Sequence, residues 1–272
     1  MPHAEVNGQR LHYVRSGSGE ALLLIQGLSG NHLHWGEPFL SLITPALEAI
    51  AYDHRGIGHS GPAAGGYTIA DLADDAAGLL DRLDLESVHV MGVSMGGMVA
   101  QELALRAPGR VRTLTLGCTY AGGAGSASTD PAIIQHLAGL FVAGRVGEAM
   151  REGFGYNVSP EFAADPANLE TFKRIAAELP ASLEALMAQL QAVGGHDTSQ
   201  RLEGISAPTL VMHGSLDRLL PVVNAHTIAD RIPGARLEIL EGVGHLFWWE
   251  RPQRSAELVL AHARGAPVVQ PQ

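Results

Sequence analysis

Short, mostly apolar runs separated by amphipathic segments mark the first half of the chain. The run at residues 21–25 has no polar position and is typical of a strand buried on both faces of a parallel sheet. Residues 47–52 and 111–116 are further predicted strands. Thr68 is a suitable N-cap for a helix. The apolar residues at positions 69, 72, 76, 79, 80 and 83 that follow it share one helical face. Strands that alternate with helices predict an α/β fold with a mostly parallel, doubly wound sheet.

This alternation stops near residue 120 and starts again near residue 201. The interruption begins with a segment of small residues, 121–129, and continues with helical patterns near 131–151, 167–178 and 181–193. Strand patterns then return at 209–212 and 236–240, with a helix after Pro221 and a final helix over 252–264. Ligands bind at the carboxyl edge of open α/β sheets, and we expect the inserted helices to lie over that edge.

The predicted organisation is therefore a core interrupted by one insertion. Residues 1–120 and 201–265 would form the core, residues 121–200 a helical cap, and residues 266–272 a loose tail.

Charge and cysteine content narrow the class of protein. A formal net charge of -10 over 272 residues disfavours binding to nucleic acid or to an anionic membrane surface, so the expected partner is a small-molecule substrate. Cys118 is the single cysteine, which rules out an intrachain disulfide, and its place at a strand end predicts a buried structural thiol. With no apolar signal segment near Met1, the predicted location is the cytoplasm. None of these sequence features determines the oligomeric state.

The segment Gly92-Val93-Ser94-Met95-Gly96-Gly97 joins a predicted strand to a predicted helix. A serine at the apex of such a turn, within G-x-S-x-G, is typical of a nucleophile elbow. Its backbone needs φ above zero and neighbours without a Cβ atom. Glycine-rich turns of this type also bind phosphate, but the segment has neither a Lys-Ser/Thr pair nor G-x-G-x-x-G. Ser94 is the predicted nucleophile.

A nucleophilic serine needs a base, and the base needs an orienting acid. Asp217 follows the apolar strand at 209–212, and His245 follows the strand at 236–240. The order serine, acid, histidine is the one expected in this architecture. Asp217 also suits a helix N-cap, and His245 also suits an ordinary turn. Since residues 117–120 contain no acid, the predicted triad is Ser94, Asp217 and His245.

Two backbone amides are predicted to form an oxyanion hole. One belongs to Met95, directly after the nucleophile, and the other to Leu28 in the loop Gln26-Gly27-Leu28-Ser29-Gly30. The alternative for that loop is a plain glycine-rich connection. The histidine pairs at 32 and 34 and at 54 and 59 have no acidic or cysteine companions at ligand spacing, and we expect no metal and no cofactor.

Together these motifs resemble the α/β-hydrolase superfamily, in particular its small capped bacterial esterases, lactonases and cofactor-free haloperoxidase-like members. Residues 53–60 are similar to the family's D-x-R-G-x-G-x-S turn, residues 213–221 to its acid loop, and residues 242–252 to its histidine loop. The chain departs from the family at Gln26, where His is usual. A serine at position 94 differs from the aspartate of the dehalogenase and epoxide hydrolase branches.

The resemblance implies a cofactor-independent serine hydrolase that cleaves a carboxylic ester or lactone through an acyl-enzyme on Ser94. Apolar residues of the predicted cap suggest a pocket for an apolar moiety, with Met150, Phe154 and Tyr156 as candidate lining residues. Each of them also suits packing inside the cap. The same triad supports hydrolysis of a C–C bond in a diketone-type substrate, or perhydrolysis. A ligand-binding protein that keeps the hydrolase fold is the non-catalytic alternative.

Overall fold

The structure, a computed structural model, describes residues 1–63 and 65–265 of the chain. Its centre is an eight-stranded sheet in the order β1-β2-β4-β3-β5-β6-β7-β8. The first two strands pair with antiparallel neighbours, and the strands from β3 to β8 run parallel to one another. The strands are β1 (His3–Val6), β2 (Gln9–Ser16), β3 (Glu20–Ile25), β4 (Leu47–Tyr52), β5 (Val88–Val93), β6 (Val111–Gly117), β7 (Thr209–Gly214) and β8 (Arg236–Leu240).

Helices cover both faces of this sheet and also fill the interruption seen in the sequence. The α-helices are α1 (Glu37–Ile43), α2 (Ile69–Arg82), α3 (Met95–Arg106), α4 (Pro131–Val142), α5 (Val146–Asn157), α6 (Pro160–Ala163), α7 (Pro166–Glu178), α8 (Leu183–Gly194), α9 (Val223–Arg231), α10 (Phe247–Glu250) and α11 (Pro252–Ala263). Short 3-10 turns lie at His32–Trp35, Pro108–Arg110 and Leu202–Gly204.

Strand β3 shows why the apolar runs lack polar alternation. Its Leu23 and Ile25 pack in the core layer formed with α2, α3 and α9. Its Leu22 and Leu24 point to the opposite layer, formed with α1 and α11. Because successive side chains of a strand face opposite sides and both sides are covered, every position from 21 to 25 is apolar. The predicted fold class, a doubly wound and mostly parallel sheet, is confirmed.

Several elements differ from the sequence-based expectation, among them the short helices α6 and α10, which were not predicted. The single pattern near 131–151 divides into α4 and α5, with Gly144 between them at φ 73°, a left-handed conformation that ends a helix. Strand β1 pairs with β2 through Asn7 (φ 50°) and Gly8 (φ 73°). Asn-Gly is a strong hairpin signal and would have revealed this strand. Helix α1 is too short for its periodicity to stand out.

Helices α4 to α8, here called the helical insertion (residues 131–194), leave and rejoin the core beside β6. A bridge pairs Gly122 with Asp197, and Thr198 N donates to Ala121 O at 2.7 Å. The far side of the insertion reaches the loop after β8, where Leu246 N donates to Asn157 O at 2.9 Å. The predicted tail, 266–272, lies outside the described residues. Within the described part of the chain, no helix is both long and apolar enough to cross a bilayer.

Candidate active site

Ser94 lies between the end of β5 and the start of α3 in a strained backbone conformation. Its φ and ψ are 56° and -124°, a region that non-glycine residues avoid. Two bonds to the neighbouring strand hold the residue there: Ser94 N donates to Gly117 O at 2.9 Å, and Thr119 Oγ1 donates to Ser94 O at 2.7 Å. The fold thus keeps a serine in a costly geometry at the carboxyl edge of the sheet.

Two glycines allow this turn to close. A Cβ atom on Gly92 would lie 2.2 Å from the carbonyl oxygen of Gly96, and one on Gly96 would lie 2.1 Å from the carbonyl oxygen of Ile25. Both distances are far below van der Waals contact, and the obstacles are backbone atoms. The glycines on either side of Ser94 therefore let β5, α3 and β3 meet at the elbow.

Asp217 and His245 form a close, buried pair. The distance from His245 Nδ1 to Asp217 Oδ2 is 2.6 Å. The other carboxylate oxygen, Oδ1, accepts from the backbone amides of Leu219 and Leu220, each at 2.9 Å. One carboxylate oxygen therefore caps the loop that carries Asp217, and the other orients the imidazole of His245. Since Nδ1 donates to the carboxylate, neutral His245 has its basic lone pair on Nε2.

A third residue, His213, completes this cluster; the sequence analysis included it in the acid loop but gave it no role. It is fully buried, its Nε2 donates to Leu220 O at 2.7 Å, and the same nitrogen lies 3.1 Å from Asp217 Oδ2. His213 thus helps to hold the acid loop and faces the oxygen that meets His245. Its position at the end of β7, four residues before the acid, is the signal that could have found it.

These contacts shift the pKa of both members of the pair. Burial alone would raise the pKa of Asp217, but the charge of His245 and the hydrogen bonds with His213 and His245 hold it well below its usual range. Burial alone would lower the pKa of His245, but the facing Asp217 carboxylate raises it well above 6.5. The pair is therefore built to stabilise a positive imidazolium.

The loops that carry the acid and the histidine contact each other directly. Leu216 N donates to Val243 O at 2.9 Å, and a Cβ atom on Gly214 would lie 2.1 Å from Gly244 O. The Glu250 side chain stabilises the histidine loop, because its Oε1 accepts from Gly244 N at 2.7 Å. The two loops therefore form one unit after β7 and β8.

Cys118 lies between this unit and the elbow. Its buried thiol contacts both the His245 side chain and the Ser94 backbone, and burial raises the pKa of the thiol, so it stays neutral. This agrees with the prediction of a buried thiol and adds that it lies under the predicted triad. The structure therefore brings Ser94, Asp217 and His245 to the same edge of the sheet.

The two predicted oxyanion donors lie on either side of Ser94. In the loop after β3, the amides of Gly27, Ser29 and Gly30 have acceptors, whereas among the described residues the amide of Leu28 has none. The amide of Met95, at the first position of α3, likewise has no acceptor among them. A Cβ atom on Gly27 would lie 3.0 Å from Ser94 Cβ and 3.5 Å from Ser94 Oγ. The loop of Leu28 therefore lies directly against the serine.

Gln26 replaces the histidine that is usual in the family, and it stabilises the loop with its own side chain. Gln26 Oε1 accepts from Gly27 N at 3.1 Å, and His54 Nε2 donates to Gln26 O at 3.0 Å. Although the usual histidine is absent, the loop is thus held by hydrogen bonds to both the side chain and the backbone carbonyl of Gln26. His54 and its neighbour Arg55 both bond within the core, Arg55 through a buried pair with Asp75 at 2.7 Å.

The three candidate pocket residues have different surroundings. Phe154 is 1% exposed, and its ring centroid lies 5.2 Å from that of Phe172, within the insertion. Met150 is half-buried on the same helix. Tyr156 is also half-buried, and the Arg218 guanidinium lies 4.4 Å from its ring centroid. Tyr156 thus approaches the acid loop, whereas Phe154 packs inside the insertion.

A second histidine cluster surrounds Asp53 and gives His32 an acidic companion that lies outside ligand spacing in the sequence. Nδ1 of His12 lies 3.0 Å from Asp53 Oδ2, and Nδ1 of His32 lies 2.9 Å from Asp53 Oδ1. Asp53 is distant in sequence from both, so ligand spacing gave no sign of it. These are hydrogen-bond distances, and Asp53 also accepts from the backbone amides of His32 and His59. The carboxylate is thus already engaged by four N–H groups.

A cavity of about 400 Å³ opens beside this cluster. Its lining includes His32, Leu40 and, from helix α7, Arg174 and Ile175, and it contains none of Ser94, Asp217 or His245. The hollow is therefore separate from the predicted triad.

Comparisons with known proteins agree with this architecture. Residues 20–252 match the model of the alpha/beta hydrolase fold, and the chain belongs to this family. It is 33% identical to a poly(3-hydroxyalkanoate) depolymerase of Ectopseudomonas oleovorans, with 88% of this chain and 82% of the relative covered. It is 28% identical to a putative carbamate hydrolase of Azorhizobium caulinodans, with 96% and 97% covered. The enol-lactonase of Burkholderia xenovorans superposes with a TM-score of 0.83 at 25% identity, with 96% and 99% covered.

Proposed function

We propose that the protein is a serine hydrolase that cleaves a carboxylic ester or lactone without a cofactor. The observation that carries the proposal is the environment of Ser94. The residue is held at φ 56° with two amides that lack acceptors among the described residues beside it, and with a His245–Asp217 pair at the same sheet edge. A nucleophile, an oriented base and paired N–H donors are the parts that acyl transfer needs.

The first half of the reaction forms the acyl-enzyme. Ser94 Oγ attacks the substrate carbonyl carbon while His245 Nε2 takes the hydroxyl proton, and Asp217 stabilises the imidazolium that forms. The carbonyl oxygen becomes an oxyanion that accepts from the amides of Leu28 and Met95. When the tetrahedral intermediate collapses, the C–O bond to the alcohol breaks and His245 gives its proton to that oxygen. With a lactone, the released hydroxyl stays on the acyl chain.

The second half regenerates the enzyme with water. His245 removes a proton from a water molecule that attacks the acyl carbon, and the same amides hold the second oxyanion. The bond to Ser94 Oγ then breaks, and the proton on His245 returns to the serine. The products are a carboxylic acid and an alcohol, and no redox step or metal is required.

The substrate class rests on the relatives and on the insertion. The names of the depolymerase and the enol-lactonase refer to carbonyl groups bonded to an oxygen leaving group. Helix α5 of the insertion carries apolar side chains such as Met150, and residues 121–200 are proposed to act as the cap that selects the apolar moiety. Tyr156, which lies beside the acid loop, is the candidate best placed to meet a substrate.

The test combines covalent labelling with a substrate screen. A fluorophosphonate should add one adduct, measured by intact mass, to the wild type and none to Ser94→Ala. Ser94→Ala should lower kcat on p-nitrophenyl esters by about 10⁶. Labelling that persists in Ser94→Ala would refute the nucleophile. Absence of labelling in the wild type would favour a non-catalytic protein that keeps the fold.

Substrate panels separate the remaining chemistry. Esters and lactones should turn over faster than ring-cleavage diketones. A marked preference for the diketones would replace the ester proposal with C–C bond hydrolysis by the same triad.

A further inference from the structure

The loop that carries Leu28 is held by a side chain from the helical insertion. Gln189, on α8, is 0% exposed, and its Oε1 accepts from Ser29 N at 2.7 Å. Ser29 directly follows the predicted oxyanion donor, and the two bonded residues are 160 positions apart in the chain. A buried side chain of the insertion thus ends one peptide unit from the oxyanion hole.

The bond constrains the backbone at a strained position. Ser29 has φ 58°, a left-handed conformation that a non-glycine residue adopts at a cost. A backbone N–H can only donate, so the oxygen of the Gln189 amide must face Ser29 and its nitrogen must point elsewhere. The orientation of this side chain is therefore determined by the loop, and the short distance fixes the peptide plane between Leu28 and Ser29.

A second contact ties the same loop to the insertion. Asn31 Nδ2 donates to Leu179 O at 3.2 Å, just after helix α7. Within the loop, Gln26 Oε1 holds Gly27 N and Gly27 O holds Gly30 N. Every neighbour of Leu28 is thus fixed, from the core at Gln26 and from the insertion at Gln189 and Leu179, while the Leu28 amide has no acceptor among the described residues.

We propose that Gln189 is a positioning residue that couples the helical insertion to the oxyanion hole. By holding Ser29 N it aims the preceding amide, that of Leu28, at the place where the oxyanion develops. The hole is then complete when α8 is seated against the loop, so the insertion contributes to the chemical step as well as to selectivity. This inference rests on the proposed function, because it assigns Gln189 a role in that same site.

The kinetic test replaces Gln189 with an isosteric side chain that lacks the amide. Gln189→Met should lower kcat by about 10²-fold, the size of effect that a misplacement of about 1 Å produces, with KM within about 3-fold of wild type. Gln191→Met on the exposed side of the same helix is the matched control and should leave kcat unchanged. An unchanged kcat in Gln189→Met would overturn the proposal.

A transition-state analogue separates positioning from general loosening. A trifluoromethyl ketone matched to the best ester substrate forms a hemiketal oxyanion on Ser94, whereas the corresponding secondary alcohol does not. In Gln189→Met the affinity for the ketone should fall by the same factor as kcat/KM, and the affinity for the alcohol should stay within about 2-fold. Equal losses for both compounds would show a merely structural role and overturn the proposal.

Hydrogen exchange then tests the bond itself. Gln189→Glu keeps an acceptor oxygen at the same reach, so the Ser29 amide should remain protected in this variant and lose protection in Gln189→Met. Loss of protection in both variants, or in neither, contradicts the proposed bond. Failure of the proposed function gives a different result, since the wild type itself would then neither bind fluorophosphonate nor hydrolyse esters.

Discussion

Two buried aspartates in this protein each face two imidazoles, yet their surroundings differ. Asp217 lies between His245 and His213 at the carboxyl edge of the sheet. Asp53, directly after β4 at the same edge, lies between His12 and His32. Side-chain composition and distances are similar in the two clusters, so composition alone does not separate a catalytic pair from a structural one.

The pKa values of His245 and His12 are shifted in opposite directions. Facing Asp217, the pKa of His245 is raised well above 6.5. The pKa of His12 is lowered instead, because burial and the nearby rings of His32 and His59 outweigh the attraction of Asp53. The Asp53 carboxylate is shared among four N–H groups. Asp217 also faces four N–H groups, so the number of donors does not separate the clusters. The difference lies in burial and in the additional imidazoles around His12.

The largest expected loss of activity follows from removing the negative charge of Asp217. Asp217→Asn should lower kcat by about 10⁴, since the amide favours the wrong tautomer of His245 and no longer stabilises its positive form. The measurement is steady-state hydrolysis of the best ester, with unfolding midpoints to show that the variant is folded. A kcat near wild type would assign the orienting acid elsewhere.

The same change at the second cluster should affect stability and spare catalysis. Asp53→Asn leaves N–H groups of His12, His32 and His59 facing a neutral amide, and we expect a loss of about 2–3 kcal/mol in the free energy of unfolding. Urea denaturation measures this value. In the folded variant kcat should stay within about 3-fold of wild type. A 10⁴-fold loss there, matching that of Asp217→Asn, would remove the distinction between the clusters.

The smallest expected difference between the Asp217 and Asp53 variants lies in the pH dependence of kcat/KM. Neutral His245 is the base, so kcat/KM should rise with pH through the pKa of His245, with a midpoint above 6.5 in the wild type. In Asp217→Asn the attraction that raises this pKa is lost while burial remains, so the midpoint should move to lower pH. In Asp53→Asn it should not move. A midpoint that shifts in both variants would mean that the clusters are electrically coupled.

The elements and the elbow were predictable because their signals are local. The apolar run at 21–25 indicated a strand buried on both faces, and the glycines around Ser94 indicated a tight turn that needs residues without Cβ atoms. The order of Asp217 and His245 after their strands followed from the same periodicity. Within the insertion the signal was weaker, and one pattern covered both α4 and α5 because Gly144 is a single residue in a helical context.

Local sequence patterns were enough to predict the fold class, the resemblance to the family and a short set of candidate residues. Other polar contacts could be seen only in the folded chain: Asp53 with His12 and His32, and Gln189 with Ser29. The physical reason is that strand and helix periodicity depends on neighbours within a few positions. Contacts between residues 21 to 160 positions apart depend on how whole elements pack, and spacing along the chain carries no record of that packing.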